Sequence, residues 1–146
     1  MRSHSFLFEP ARWSVQGKYY GMDGSSVPAA GETLVSHQAD GWRCDGVTRL
    51  LWPEESLEFT MACLVRPFCG NDWTTWEADT PGFGIMHGKY VLAADAILCL
   101  GQTLGGAFTL SECLVMLDKS HYLSRGTIVK GSSKMSSWAV EFLRGD

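Results

Sequence analysis

Apolar and polar residues alternate along most of this 146-residue chain, in short runs separated by turn-forming pairs. Successive side chains of a β-strand point to opposite faces of the sheet, so this alternation predicts strands with one buried face. The separating turns include Asp23-Gly24, Pro81-Gly82 and Gly105-Gly106. Because the pattern continues through nearly the whole chain, the sequence predicts an all-β antiparallel meander, which has to close on itself or be covered.

The segment from Trp42 to Trp52 shows the clearest alternation. One of its two faces is apolar or small at most positions, and we expect that face to be buried. That face carries Trp42, Cys44, Gly46, Thr48, Leu50 and Trp52. By the same criterion, the other predicted strands span residues 13–21, 31–38, 57–67, 73–78, 83–92, 94–102, 107–117, 121–130 and 136–144.

The segment 109–118 also fits a helix. Thr109 and Glu112 have the spacing of a capping box. A helix here would place Leu110, Cys113, Leu114 and Leu117 on one face. We favour a strand, because a turn and another β-rich run follow directly.

Strands of this length, joined by short turns, predict one domain over residues 1–146. We expect about eight to ten strands to form a single antiparallel up-and-down meander that closes into a barrel. A two-sheet sandwich is the alternative fold. Sandwiches usually need longer crossover connections than this sequence contains, so the barrel is preferred.

The composition, with 45% apolar and 19% charged residues, is that of a soluble globular protein. A net charge of −4 and scattered lysines and arginines argue against a nucleic-acid partner. No apolar run is long enough for a membrane span, and the N-terminal residues lack the apolar core of a signal peptide. The odd number of cysteines, five, indicates reduced thiols, so we expect a cytoplasmic location.

No group of residues forms a recognisable catalytic or metal-binding motif. The histidines lie far apart, and no Cys-x-x-Cys or His-x-His spacing is present. The Gly-x-Ser-x-Gly motif and the glycine spacing of nucleotide-binding loops are also missing. We therefore assign no catalytic residue and no metal, and the sequence leaves any cofactor undetermined.

Aromatic residues make up 12% of the chain. They favour strands and cores, but in a barrel some of them can line an interior cavity. Strand alternation places the following side chains inside, and we predict that they bind the ligand: Trp13, Tyr19, His37, Trp42, Thr48, Trp52, Phe59, His87, Tyr122 and Trp138.

The chain resembles the calycin superfamily, which includes lipocalins, fatty-acid-binding proteins and small nitrobindin-like bacterial barrels. The resemblance lies in the spacing Trp13-x-x-x-Gly17-x-Tyr19, the Asp23-Gly24 turn, the meander and the closing segment 137–144. It implies a barrel with an apolar cavity for one small molecule.

Three family features differ in this chain. Lipocalins carry Gly-x-Trp on the first strand, whereas here Trp13 precedes Gly17. The two-helix lid of fatty-acid-binding proteins has no room between residues 24 and 30. Nitrobindins hold haem with a histidine near the last strand, but the last histidine here, His121, lies well before Trp138, so the resemblance does not imply haem.

The sequence thus predicts an intracellular protein that binds a small hydrophobic or amphipathic ligand inside its barrel. A barrel enzyme of the isomerase or cyclase type is the first alternative, with His87, Tyr90 and His121 as the candidates for proton transfer. A titratable group with a shifted pKa inside the cavity would favour that alternative. The second alternative is a structural protein that forms a homodimer through its sheet.

Overall fold

The computed structural model describes residues 3–145, and most of these residues belong to strands. The strands are β1 (Ala11–Tyr20), β2 (Ser26–Gln38), β3 (Gly41–Leu51), β4 (Ser56–Val65), β5 (Trp73–Thr80), β6 (Gly84–Ala93), β7 (Ala96–Thr103), β8 (Phe108–Asp118), β9 (His121–Lys130) and β10 (Ser133–Arg144). They agree with the predicted strands to within a few residues, except that β2 begins well before the predicted start.

Every strand pairs antiparallel with the next one in sequence, and β1 also pairs with β10, which closes the sheet into a barrel. The closing ladder runs from Trp13 opposite Arg144 to Tyr20 opposite Ser137. The predicted up-and-down barrel is therefore confirmed. The segment 109–118 lies in β8, so the helical alternative is wrong. Residues 3–145 include no helix with the length and hydropathy needed to cross a membrane.

Buried and exposed positions alternate along the strands, as the sequence pattern predicts. In β3, Cys44 and Leu50 are buried and belong to the face that we expected to point inward. In β5, Trp76 and Ala78 are buried while the intervening Glu77 is exposed. The even or odd position of a residue within its strand therefore decides whether its side chain enters the barrel.

The N-terminal residues 3–10 close one end of the barrel. Phe6 and Leu7 are buried, with 3% and 0% of their surface exposed. The ring of Phe6 packs edge-on against the rings of Trp13 and Phe142, at centroid distances of 5.5 and 5.4 Å. This aromatic cluster fills the closed end with side chains.

Tyr122 connects this N-terminal segment to the barrel. Its hydroxyl oxygen lies 2.8 Å from Nδ1 of His4 and accepts hydrogen bonds from the backbone N–H groups of Ser5 and Phe6, at 3.2 and 3.3 Å. Arg144 donates a hydrogen bond of 2.7 Å from Nη1 to Oε1 of Glu9. Contacts to β9 and β10 thus hold the segment in place.

The ladder between β4 and β5 is shorter than the other ladders. It pairs only Ala62–Val65 with Trp76–Asp79, whereas β4 pairs with β3 from Ser56 to Val65. Residues 56–61 therefore have no ladder partner in β5. The result is a gap in the barrel wall between this part of β4 and the turn that joins β5 to β6.

We expect Tyr122→Phe to lower the free energy of unfolding by about 2 kcal/mol, because the buried N–H groups of Ser5 and Phe6 lose their acceptor. Urea denaturation measures the change, and hydrogen exchange at these two amides should become faster. Tyr20→Phe, at the opposite end of the barrel, is the control and should change stability by less than about 0.5 kcal/mol. Equal losses in the two variants would contradict this account of the closed end.

Candidate functional site

A cavity of about 270 Å³ lies inside the barrel. Phe6 of the N-terminal segment lines the closed end of the cavity. Its other side is lined by residues 59–61 of β4, by Thr80 at the end of β5 and by residues 81 and 83 of the β5–β6 turn. Phe59 is 43% exposed. The cavity therefore meets the surface at the gap between β4 and β5.

Apolar and aromatic side chains make up most of the lining, together with threonines and one serine. Among the lining residues in the described part of the chain, Glu112 alone is charged. Its position in β8 follows the alternation of that strand, because Leu110 and Leu114, two residues before and after it, also point inward. Strand geometry therefore places a carboxyl group inside an apolar barrel.

A row of directly paired residues crosses six strands, from β6 through β10 to β1, at the level of Glu112. The row consists of Tyr90, Cys99, Glu112, Gly126, Trp138 and Tyr19. The rings of Trp138 and Tyr19 stack, with a centroid distance of 5.4 Å and an interplanar angle of 18°. The barrel thus brings Glu112 and its aromatic neighbours together from strands that lie far apart in sequence.

Gly126 lies between Glu112 and Trp138 in this row and provides the space that joins them. A Cβ atom at position 126 would lie 2.3 Å from Cζ2 and 2.7 Å from Nε1 of the Trp138 indole. Because glycine has no Cβ, the indole lies across β9 and reaches the carboxyl group on β8.

Glu112 accepts two hydrogen bonds, and both end on the same oxygen. Oγ of Ser124 donates to Oε2 at 2.6 Å, and Nε1 of Trp138 donates to Oε2 at 3.0 Å. The other oxygen, Oε1, accepts no hydrogen bond from residues 3–145. Within these residues, the fully buried side-chain polar atoms without a partner are Nε1 of Trp13 and Nε1 of Trp76. Oε1 therefore keeps some accessible surface, and its side chain is part of the cavity lining.

Burial raises the pKa of Glu112 above its usual value, while the hydrogen bonds from Ser124 and Trp138 oppose this shift. Burial also raises the pKa of Tyr19, and the negative charge of Glu112 raises it further. The pKa of Tyr90 is raised well above its usual value, again mainly by burial. Both phenols therefore remain neutral at physiological pH, and Glu112 is the group in this row whose charge can change.

The thiols of Cys44, Cys63 and Cys99 are buried, and all five cysteines of the chain are free in the structure. Burial raises the pKa of each of these three thiols. They therefore stay protonated, and a protonated thiol is a poor nucleophile and a poor metal ligand. In residues 3–145, no group of three or more His, Cys, Asp or Glu side chains is arranged to hold a metal ion.

Some of the predicted ligand-binding residues share the cavity, and others form the closed end. The cavity is lined by Tyr19, Thr48, Phe59 and Trp138. Trp13 and Tyr122 face inward too, but they are fully buried beside Phe6 in the closed end. These two residues therefore pack behind Phe6 at the closed end and do not line the cavity.

His37 and Trp42 also lie at the closed end, where their rings stack at a centroid distance of 4.3 Å. Nε2 of His37 lies 2.8 Å from the carbonyl oxygen of Leu7, so this pair helps to hold the N-terminal segment. Neither residue lines the cavity, and His37 is exposed at this end of the barrel, contrary to its predicted interior position.

The expected interior positions of Trp52 and His87 are wrong. Trp52 follows the last residue of β3 and is 39% exposed at the rim, because the strand ends before its side chain can enter the barrel. His87 is exposed on the outer face of β6, and its neighbour Met86 is the residue that points inward. Every second side chain of a strand faces solvent, and the prediction for His87 took the outward-facing residues of β6 as the inward-facing ones.

Of the three residues proposed for proton transfer, the structure places only Tyr90 in the cavity. His121 lies outside the cavity, with Nε2 2.7 Å from Oε2 of Glu141, and His87 is exposed, whereas Tyr90 lines the cavity. The sequence reasoning missed Glu112. Its alternation with Leu110 and Leu114 was the signal that could have identified it.

Gly126→Ala should displace the Trp138 indole and break its hydrogen bond to Glu112. We expect the free energy of unfolding to fall by about 1–3 kcal/mol, as for other overpacked interiors. Gly46→Ala is the matched control, because a Cβ at position 46 would meet its nearest atom, Oγ1 of Thr33, at 3.4 Å. Urea denaturation of both variants measures the difference, and an unchanged Gly126→Ala protein would refute the packing argument.

Glu112→Gln should make the protein more stable at pH 7. Since the folded-state pKa of Glu112 is raised, its protonation contributes stability at low pH, and this contribution is lost as the pH rises through the folded-state pKa. The variant avoids that loss and should gain on the order of 1 kcal/mol at pH 7, with the gain shrinking towards pH 4.

Urea denaturation at several pH values tests this difference. The control is Glu77→Gln, which removes an exposed carboxyl group on β5 and should change the free energy of unfolding by less than about 0.5 kcal/mol. A Glu112→Gln protein that is less stable than the wild type at pH 7 would contradict the prediction.

Neither a family model nor a curated protein sequence matches the chain. Among solved structures, the chain is similar to an S-type phycobiliprotein lyase from Guillardia theta, with a TM-score of 0.68 and 6% sequence identity over 97% of this chain and 91% of that chain. A redesigned β-barrel aligns with a TM-score of 0.48 and 12% identity, over 100% of this chain and 98% of that one. At such identities, the likeness to the lyase shows a shared barrel fold.

Proposed function

We propose that this protein binds a small, mostly apolar molecule inside its barrel, with Glu112 as the polar contact. The observation that carries the proposal is the cavity of about 270 Å³, which is lined mainly by apolar side chains and includes the partly exposed Phe59 in its lining. Ligand pockets commonly measure about 300–1,000 Å³, so this cavity, just below that range, suits a small ligand.

The cavity would be costly if the barrel served only as a scaffold. Protein interiors are normally close-packed, and an unfilled space loses dispersion contacts along its whole lining. The closed end of this barrel is packed with aromatic rings from Phe6, Trp13 and Phe142, so the chain is able to fill its interior. A bound molecule would restore the missing contacts in the open half.

The calycin resemblance supports the same proposal, since it implies one small molecule in an apolar barrel. The barrel shared with the phycobiliprotein lyase is consistent with it. An intracellular, cytoplasmic location remains a prediction. So does the homodimer, for which the unpaired edge of β4 at residues 56–61 would be the available strand.

An isomerase or cyclase activity is the second candidate, and Glu112 is the observation that favours it. A carboxyl group whose pKa is raised by burial, inside an apolar cavity, is a candidate for proton transfer to or from a bound molecule. Glu112 would take the role first given to His87 and His121, with Tyr90 beside it in the lining. Mass spectrometry distinguishes the two candidates, because a binding protein returns its ligand unchanged.

Binding can be measured with prodan, a neutral naphthalene dye whose emission shifts in apolar surroundings. We expect saturable binding that Gly46→Leu weakens about tenfold or more, because the new side chain projects from the lining into the cavity. The control Ala62→Leu adds a similar side chain on the exposed face of β4 and should leave the affinity unchanged. Absent saturation, or equal effects of both variants, would refute the proposal.

A further inference from the structure

The charge inside the cavity is of one sign. Glu112 supplies it, and within residues 3–145 the lining contains no lysine, arginine or histidine to balance it. An ionised carboxyl group in an apolar interior is costly unless an opposite charge or sufficient hydrogen bonds compensate it. A ligand with its own carboxylate would increase this cost, whereas a ligand with a positive charge would reduce it.

The hydrogen bonds to Glu112 are arranged for the ionised form and leave one oxygen available. The indole N–H of Trp138 can only donate, and Ser124 also donates, both to Oε2. Donors directed at a carboxyl oxygen favour its ionised state. Oε1 accepts no hydrogen bond from the described residues and is not fully buried, and Glu112 lines the cavity, so Oε1 is the acceptor available to a donor on a ligand.

The aromatic lining provides a second attraction for a positive charge. Trp138 and Tyr19 stack beside Glu112, and Tyr90 lies in the same row on the other side. The faces of aromatic rings carry negative electrostatic potential and attract cations, most strongly when water is excluded. The carboxylate and the rings therefore favour the same kind of ligand.

We propose that the ligand is a small hydrophobic cation, an aromatic or alicyclic amine, whose N–H group donates to Oε1 of Glu112 while its apolar body fills the cavity. This inference rests on the proposed function, and it adds the chemical class of the ligand. A cation of this kind forms a charge-assisted hydrogen bond in the interior and replaces the missing counter-charge. Anionic amphiphiles, fatty acids included, should be excluded by the same carboxylate.

Three compounds with one ring system test the inference: 2-naphthylmethylamine, 2-naphthalenemethanol and 2-naphthoic acid. They carry positive, zero and negative charge at pH 7, and isothermal titration calorimetry gives their affinities. We expect the amine to bind about ten- to a hundredfold more tightly than the alcohol, and the acid to bind most weakly. Glu112→Gln should remove most of the advantage of the amine over the alcohol.

Glu77→Gln is the matched control, because it removes one carboxyl group from the exposed outer face of β5. Both variants lower the net negative charge equally, so a loss of amine binding confined to Glu112→Gln reports on the cavity. If both variants weaken the amine equally, the effect is one of overall charge, and the inference is wrong.

The wild-type protein provides a test that does not depend on a folded variant. The amine stays protonated below about pH 8, so its affinity should fall as the pH is lowered and Glu112 takes up a proton, while that of the alcohol should stay constant. Burial raises the pKa values of the other titratable groups near Glu112, so they stay neutral below about pH 8. These groups are Tyr19, Tyr90, Cys44, Cys63 and Cys99.

The outcomes separate this inference from the proposed function. If the alcohol or the acid binds as tightly as the amine, the ligand is not a cation, but a binding cavity remains. If neither prodan nor any of the three compounds binds, both the inference and the proposed function are wrong. A pH-independent affinity of the amine would also overturn the role of Glu112.

Discussion

The pairing of β1 with β10 is the contact on which the rest of the structure depends. It gives the first and last strands a second neighbour and turns an open meander into a ring. Closure pairs the backbone N–H and C=O groups of both strands, which would otherwise form exposed edges. It also defines an inside, because every second residue of each strand then faces a common axis. The one short ladder, between β4 and β5, leaves the gap through which that inside reaches solvent.

The width of a ten-stranded ring explains why it is filled at one end and hollow at the other. Such a barrel is wider than side chains from its own strands can fill. The N-terminal segment inserts Phe6 and Leu7 into one end. Two tryptophans lie flat along the wall where glycines make room, Trp76 over Gly101 and Trp138 over Gly126. What remains is the cavity, and the Trp138 indole brings a hydrogen-bond donor to Glu112 at its side.

The candidate site could be predicted in part from the residues alone. Alternation correctly placed Tyr19, Thr48, Phe59 and Trp138 in the lining, because each lies in a regular strand whose apolar set is clear. It failed for His87, where both alternate sets of β6 contain apolar residues. Glu112 was overlooked although it obeys the same rule, since a charged residue between two leucines is easily assigned to the surface. The chemistry of the site depends on that residue.

The sequence by itself determined the strands, their order and the antiparallel pairing of neighbouring strands, because alternation and turn chemistry are local properties of neighbouring residues. Only the tertiary structure decided which end is closed, how large the cavity is and which groups meet there. Glu112, Gly126 and Trp138 lie on three strands, and the register between those strands brings them into one row. Register and barrel width result from contacts between distant segments, and no local pattern encodes them.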